Sequence, residues 1–311
     1  MRRWGLARLA AHAKVRRYPG WNVGSGESDR SVFLKLRKRL WAGMRTPQVI
    51  RWLDDLRVYL YPDNETCRSV FLTGLYEPNE FFWLDKALEP GGKTLIDTGA
   101  SMGLYTLFAA KKTGPDGVIV AIEPSSRDFS RLKANIELNR LSNVRALQVA
   151  VSNYQGDAEL LVASEEHSGH NTLGNFGYPG VTALRREPIR VERIDDIVQR
   201  LRLERVDIVK MDIEGAEYSA LQGAVDTIAR FHPTILLELF DKTLEHQNST
   251  SGQIWDFLVQ RGYSIYMFSH QTGLPSPAIR KPYFDSENIV ATEERGDHGR
   301  IEKVREPALG T

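Results

Sequence analysis

A chain of 311 residues and 35.2 kDa has room for one large or two modest domains, and 41% hydrophobic with 26% charged residues is a globular composition that excludes a fibrous repeat and wholesale disorder. The net charge of +1 excludes a chain-wide nucleic-acid footprint, although residues 1–45 carry twelve Lys or Arg against Glu27 and Asp29, so the front end is +10 and the remainder −9. No apolar run approaches the roughly 20 residues that cross a bilayer, so a soluble, cytoplasmic protein is expected.

At the start, Met1-Arg2-Arg3-Trp4 is not followed by the apolar stretch of roughly 7 to 15 residues that a signal peptide needs, and export is not expected. Residues 1–70 read as a basic extension in which Trp4, Trp21, Trp41 and Trp52 are interleaved with charge. That mixture suits peripheral contact with an anionic membrane surface or a glycolipid headgroup. The plainer reading is a helical extension that packs its Trp rings on the main domain. Cys67 is the one cysteine, which excludes an internal disulfide and a thiolate zinc cage.

From about residue 93 short apolar runs alternate with amphipathic stretches, the signature of βαβ units on a parallel sheet. Thr94-Leu95-Ile96 reads as a buried strand, Met102 to Lys112 as a helix, and Val118 to Ile122 as a second strand after the turn Gly114-Pro115-Asp116-Gly117. Ser125 or Ser126 caps a helix with the apolar face Phe129, Leu132 and Ile136, and Val144 to Val151 is the third strand. Residues 153–190 interrupt this rhythm with a glycine-rich excursion, expected to be a lid-like insertion. A helix over Ile194 to Leu203, a strand over Val206 to Met211, a helix over Ala216 to Arg230 and a strand over Thr234 to Leu237 follow. A helix over Ile254 to Gln260 and a strand over Tyr263 to Phe268 close the 71–292 domain. Residues 293–311 read as a polar tail.

The first strand enters Asp97-Thr98-Gly99-Ala100-Ser101-Met102-Gly103, where glycines permit a sharp turn and close approach of a ligand. This is not the dinucleotide fingerprint, because Ser101 stands where its second glycine would be. Asp97 would repel a pyrophosphate at the following helix but attract an ammonium and a sulfonium, which favours S-adenosylmethionine over a nicotinamide dinucleotide. Glu123 ends the neighbouring strand and Pro124 stops the ladder there, so its carboxylate is placed to accept both hydroxyls of a ribose.

These residues resemble the FkbM-type family of S-adenosylmethionine-dependent methyltransferases from about Thr73 to Phe268. Gly74-Leu75-Tyr76-Glu77-Pro78 looks like the family's opening motif, Leu95 to Gly103 like its D-x-G-A-x-x-G loop, and Val120 to Pro124 follows. Lys210-Met211-Asp212-Ile213-Glu214-Gly215-Ala216-Glu217 looks like its most specific signature. The resemblance implies a class I methyltransferase (Rossmann-like) fold, an α/β sheet flanked by helices, and methylation of hydroxyls. It also implies that Asp97, Gly99, Ala100 and Gly103 hold the methionine end of the cofactor, Glu123 the ribose, and Val151 and Ser152 the adenine, with Tyr76 and Glu77 closing over it. Thr98 stands where the family commonly has an aliphatic residue, and residues 1–70 lie outside the match.

Ligands of such sheets sit beyond the carboxyl ends of the strands, which brings Asp212, Glu214 and Glu238 to the same crevice as Asp97. Asp212 is the expected general base, or the group that orients the acceptor, and its competing role is to cap the next helix together with Glu214 and Glu217. Lys210 alternates with Asp212 and is expected to pair with it or with Glu238. His170, inside the 153–190 excursion, is a second candidate base, and Asn171 a candidate partner of a sugar hydroxyl. No metal is expected: Asp212, Glu238 and His170 offer oxygen and nitrogen donors, but no compact ligand spacing demands one. The leading expectation is O-methylation of a sugar, glycolipid or secondary metabolite. The alternatives are an RNA or protein methyltransferase, for which the basic front end is the argument, and a non-catalytic cofactor-binding protein; a nucleic-acid partner is not expected.

Overall fold

The computed structural model describes residues 32–164, 171–174, 183–269 and 272–293. Its centre is an eight-stranded sheet in the order β12-β11-β13-β10-β9-β3-β4-β5. β3 (Thr94–Thr98), β4 (Val118–Ile122), β5 (Val144–Leu147), β9 (Ile208–Met211) and β10 (Thr234–Leu239) run parallel. β13 (Glu287–Glu293) pairs antiparallel with β10 and with β11 (Tyr263–Phe268), and β12 (Pro275–Pro277) ends that side. Val, Ile and Leu dominate the inner strands because both faces are covered. One core joins Ile96, Val120, Val209 and Ile235 to the later helices; the other joins Leu95, Ile119, Ile208 and Leu236 to the first helices. The sequence reading of an α/β sheet flanked by helices therefore holds.

The first helix described is α1 (Val32–Ala42), followed by the hairpin β1 (Gln48–Arg51) and β2 (Arg57–Leu60) and by α2 (Glu65–Thr73) and α3 (Pro78–Ala87). Their side chains Val58, Leu60, Cys67, Val70, Trp83 and Leu84 share a core with Leu95 and Leu107, so no break in packing falls at residue 70. Trp41 lies 5.5 Å from the Phe71 ring, and Trp52 donates its indole N–H to the Gly74 carbonyl at 3.1 Å. These two Trp are thus packed on the main domain; Trp4 and Trp21 lie outside the described residues.

Three elements differ from the sequence reading. The strand over residues 144–151 is two, since Ala150–Val151 (β6) leaves the main sheet and pairs with β8. The excursion contains a regular antiparallel pair, β7 (Gly156–Ala163) and β8 (Ala183–Glu192). Its alternation places Leu160, Val162, Ile189 and Val191 on one covered face and charged residues on the other. The helix over 216–230 breaks into α7 (Glu217–Gln222) and α8 (Val225–Phe231), because the chain at Gly223 packs so closely on the Ser152 carbonyl that a Cβ would fall 2.1 Å from it. The remaining helices are α4 (Leu104–Thr113), α5 (Ser126–Asn139), α6 (Ile194–Arg200), α9 (Asp241–Glu245) and α10 (Ser251–Val259).

Candidate active site

The chain leaves β3 toward β4 and β5 on one side and returns to β9 and β10 on the other, so the sheet reverses its winding beside β3. The carboxyl ends of the strands open there into a crevice, the usual ligand position in such sheets. A cavity of about 350 Å³ occupies it, bounded by Gly99 and Ser101 after β3, Glu123 and Pro124 after β4, Asp212 to Glu214 after β9, and Glu238 in β10. Three non-glycine residues of its wall, Glu77, Ser101 and Glu214, have φ of 43°, 50° and 53°. Left-handed backbone of this kind is costly and concentrates at functional sites.

Each turn is fixed by local chemistry. Gly99 has φ of 73° and packs so tightly on the turn after β9 that a Cβ would lie 1.8 Å from the Asp212 carbonyl oxygen. The left-handed Ser101 turns its N–H onto Glu123 Oε2 at 2.8 Å, while the Ser125 N–H donates to Oε1 at 2.9 Å. Ser125 also caps α5 through the Asp128 amide. Burial, then repulsion from Asp128, pushes the Glu123 carboxyl up to about 8. Both of its oxygens keep a lone pair for a ligand hydroxyl.

Parallel register sets Asp97 beside Lys210. The ammonium lies 3.6 Å from Asp97 Oδ1 and 3.3 Å from Asp212 Oδ2, and donates to the Gly99 carbonyl at 3.2 Å. Burial alone would lower the Lys210 pKa, but Asp212, Asp97 and Glu77 outweigh it and hold the ammonium charged. Asp97 is fully buried, accepts from the Thr106 hydroxyl at 2.6 Å, and lies beneath the cavity wall. Ala100 and Gly103 likewise lie beneath the wall, packed around Leu132. Tyr76, Glu77, Gly99, Glu123, Pro124, Val151, Asp212, Glu214 and Glu238 line the cavity, and Ser152, next to Val151, is buried with its N–H on the Glu192 carbonyl. His170 lies outside the described residues.

Glu77 occupies the N-cap position of α3 in a left-handed turn, without a side-chain capping bond, and its carboxylate accepts from the Tyr105 hydroxyl at 2.5 Å. Burial, then Glu80 and Asp212, pushes it up to about 8. Glu238 accepts from the Ser286 hydroxyl at 2.5 Å and is pushed up to about 9, by burial and then by Asp212. Glu217 folds back from the first turn of α7 to accept from the N–H groups of Ile213 and Gly215 at 2.9 and 3.3 Å. It clamps the turn that carries Asp212 and Glu214.

Six carboxylates line the cavity, those of Glu65, Glu77, Glu123, Asp212, Glu214 and Glu238, and among the described residues the lining contains no Lys, Arg or His. This donor set fits a ligand that carries positive charge and hydroxyls and opposes a pyrophosphate. The lining also includes Ile122, Pro124, Val149, Val151, Leu160 and Leu173, apolar side chains that fit a flat ring. Among the described residues no group of three or more His, Cys, Asp or Glu is arranged to hold a metal ion, and no helix is long and apolar enough to cross a membrane.

The sequence reading missed three parts of this site. Glu65, Thr66 and Ser69 reach the cavity from α2, which sits before the βαβ pattern begins. Ser286, just before β13, holds Glu238, and Asn288, in β13, holds Glu77 and Glu80 at 3.5 and 3.1 Å. Leu160 and Leu173 come from the β7–β8 arm, where only the alternation Ala158-Glu159-Leu160-Leu161-Val162 could have signalled a strand.

A mostly parallel sheet with β13 reversed beside β10, and a ligand cavity at the tips of β3, β4 and β9, defines a class I, Rossmann-like methyltransferase. The chain belongs to the methyltransferase FkbM domain family, whose sequence model matches residues 97–265. It is 27% identical over 220 residues to "Methyltransferase 1" of Beauveria bassiana, covering 64% of this chain and 84% of that protein. It is 29% identical over 211 residues to "Methyltransferase sdnD" of Sordaria araneosa, covering 58% and 77%. A third relative, the "31-O-demethyl-FK506 methyltransferase FkbM" of Streptomyces tacrolimicus, is 28% identical over 159 residues, covering 43% and 60%.

Proposed function

We propose that this methyltransferase uses S-adenosylmethionine to methylate a hydroxyl of a sugar, glycolipid or secondary metabolite. The observation that carries this reading is the acidic wall at the sheet's winding reversal, with six carboxylates. The ionised acids of this wall attract an ammonium and a sulfonium and repel a dinucleotide pyrophosphate or an RNA backbone, and a cationic ligand favours ionisation of Glu77, Glu123 and Glu238, which burial holds protonated in the ligand-free protein. Gly99, Tyr76 and Glu77 would hold the methionine end, with Asp97 acting through Lys210 beneath. Glu123 would accept the ribose hydroxyls, and Pro124 and Val151 would flank the adenine. When bound, S-adenosylmethionine supplies an electrophilic methyl carbon.

The protein's part is to align the acceptor oxygen and to take its proton. Asp212 stands at the tip of β9 with Oδ2 held by Lys210, which fixes the carboxylate and leaves Oδ1 to receive the hydroxyl proton. Glu238, pushed up to about 9, is protonated at neutral pH and donates to the acceptor. The name of the Streptomyces tacrolimicus relative specifies methylation at an oxygen, which supports an oxygen acceptor here.

Calorimetry with S-adenosylmethionine, beside a labelled-methyl transfer assay on extracts split into glycan, lipid and nucleic-acid fractions, tests the assignment. Glu123→Ala is expected to weaken cofactor binding at least about tenfold, one hydroxyl-carboxylate interaction of about 1.5 kcal/mol. Asp212→Asn is expected to keep the affinity within about twofold and to lower turnover by about 10² to 10⁴. Label in the nucleic-acid fraction, or the reverse pattern in the two variants, would overturn the reading.

A further inference from the structure

We propose that the cavity-facing side of α2, formed by Glu65, Thr66 and Ser69, is the surface that recognises the acceptor, and that the acceptor is a polyhydroxylated, uncharged ring such as a sugar. This rests on the methyltransferase reading above. Glu65 and Thr66 stand four and three residues before Ser69, so each neighbours it on the helix surface, and all three line the cavity. They lie outside residues 97–265 matched by the family model and outside every group assigned above to the cofactor.

The face is held firmly from behind. Cys67, Val70 and Phe71 on the opposite side of α2 are buried in the same core as Met102, and the Asn64 side chain caps the helix by accepting from the Cys67 N–H at 2.7 Å. One residue earlier, Asp63 is tied to α5 by the Arg131 guanidinium, which stacks over the Tyr61 ring with its carbon 4.4 Å from the centroid. Arg131 also reaches Asp128 Oδ1 at 3.6 Å, and Asp128 receives the Asn171 amide at 2.8 Å. One helix therefore positions both α2 and the Asn171 wall.

The chemistry of the face selects its ligand. A carboxylate can accept two neighbouring hydroxyls at once, and the hydroxyls of Ser69, which donates to the Leu75 carbonyl at 3.5 Å, and of Thr66, hydrogen-bonded to Tyr76, keep lone pairs that accept from a ligand hydroxyl. Asp212 also bounds this cavity, so an acceptor with a phosphate or carboxylate would meet like charge there as well as at Glu65. Neutral hydroxyls can satisfy all of these groups without a like-charge contact.

The test is saturation-transfer NMR on the enzyme loaded with S-adenosylhomocysteine, using methyl glucoside, methyl rhamnoside and methyl mannoside as neutral probes and glucuronate as the charged control, beside calorimetry of S-adenosylhomocysteine itself. At least one neutral sugar is expected to give a signal that falls at least about fivefold in Glu65→Gln and in Ser69→Ala, with S-adenosylhomocysteine affinity changed less than about twofold. Glucuronate is expected to give none. A sugar signal unchanged in both variants, no sugar signal in the unmodified complex, a stronger signal from glucuronate, or loss of S-adenosylhomocysteine affinity in the variants would each overturn the proposal. Failure of the unmodified protein to bind S-adenosylhomocysteine would instead refute the methyltransferase reading beneath it.

Discussion

Gly99 is where the tip of β3, the turn that follows it and the turn that carries Asp212 meet. Its φ of 73° suits glycine alone, its carbonyl receives Lys210, and the Asp212 carbonyl occupies the space a side chain would need. A Cβ there has two costs: about 1 to 2 kcal/mol for left-handed backbone, and a clash with backbone that cannot rotate away. The clash is relieved only if the β9 tip moves, which would shift Asp212 from the position proposed for it beside the acceptor. Gly99→Ala is therefore expected to lose stability by more than about 2 kcal/mol in urea unfolding and to abolish methyl transfer. A variant as stable as the parent would show that the two turns are not locked together.

At the level of elements, the β9–α7 connection is built by a side chain. Glu217 satisfies the N–H groups of Ile213 and Gly215 and so keeps Asp212 and Glu214 at the cavity wall. Glu217→Ala leaves two turn amides without that acceptor and is expected to destabilise the fold by about 1 to 3 kcal/mol. Hydrogen exchange should rise at Ile213 and Gly215 before it rises in β9, and uniform exchange across both would show that Glu217 does not clamp the turn. Elements of this kind differ in how legible they are. The parallel strands β3, β4, β9 and β10 could be read because burial on both faces leaves unbroken Val, Ile and Leu runs, and the site residues at their tips came with them. β7 and β8 alternate covered and charged positions, a weaker signal, and the glycines between them resembled a loop; β13 offers only the three-residue buried run Ile289-Val290-Ala291 between polar ends. α2 and α3 are short, and α3 begins from the left-handed Glu77, which no propensity foretells. Glu65, Thr66, Ser69 and Asn288 were invisible as site residues because only tertiary packing brings them to the cavity.

Across the whole molecule the buried acids make stability depend on pH. Glu77, Glu123, Glu217 and Glu238 are pushed up to about 8, 8, 7 and 9, each chiefly by burial, from an ordinary value of about 4.3. The folded chain thus holds protons that the unfolded chain has released, and ΔG of unfolding falls with pH wherever the native state binds more protons. Their contribution is complete below about pH 4.3 and is lost as pH rises through about 7 to 9. Asp207 behaves oppositely: burial raises it, but Arg205 and the Thr94 amide outweigh that and hold it below the usual range, so its contribution is lost only in acid. The melting temperature of the ligand-free protein is expected to fall steadily from pH 6 to pH 9. S-adenosylmethionine, whose sulfonium and ammonium favour the ionised carboxylates, should reverse that trend, its stabilisation growing with pH and exceeding that of S-adenosylhomocysteine, which lacks the sulfonium charge. Scanning calorimetry across this range checks both parts, and Glu238→Gln should flatten the ligand-free slope because its amide cannot ionise. A ligand-free melting temperature that stays level or climbs to pH 9 would mean the cavity acids are already ionised, and the proton-donating role given to Glu238 would fall with it.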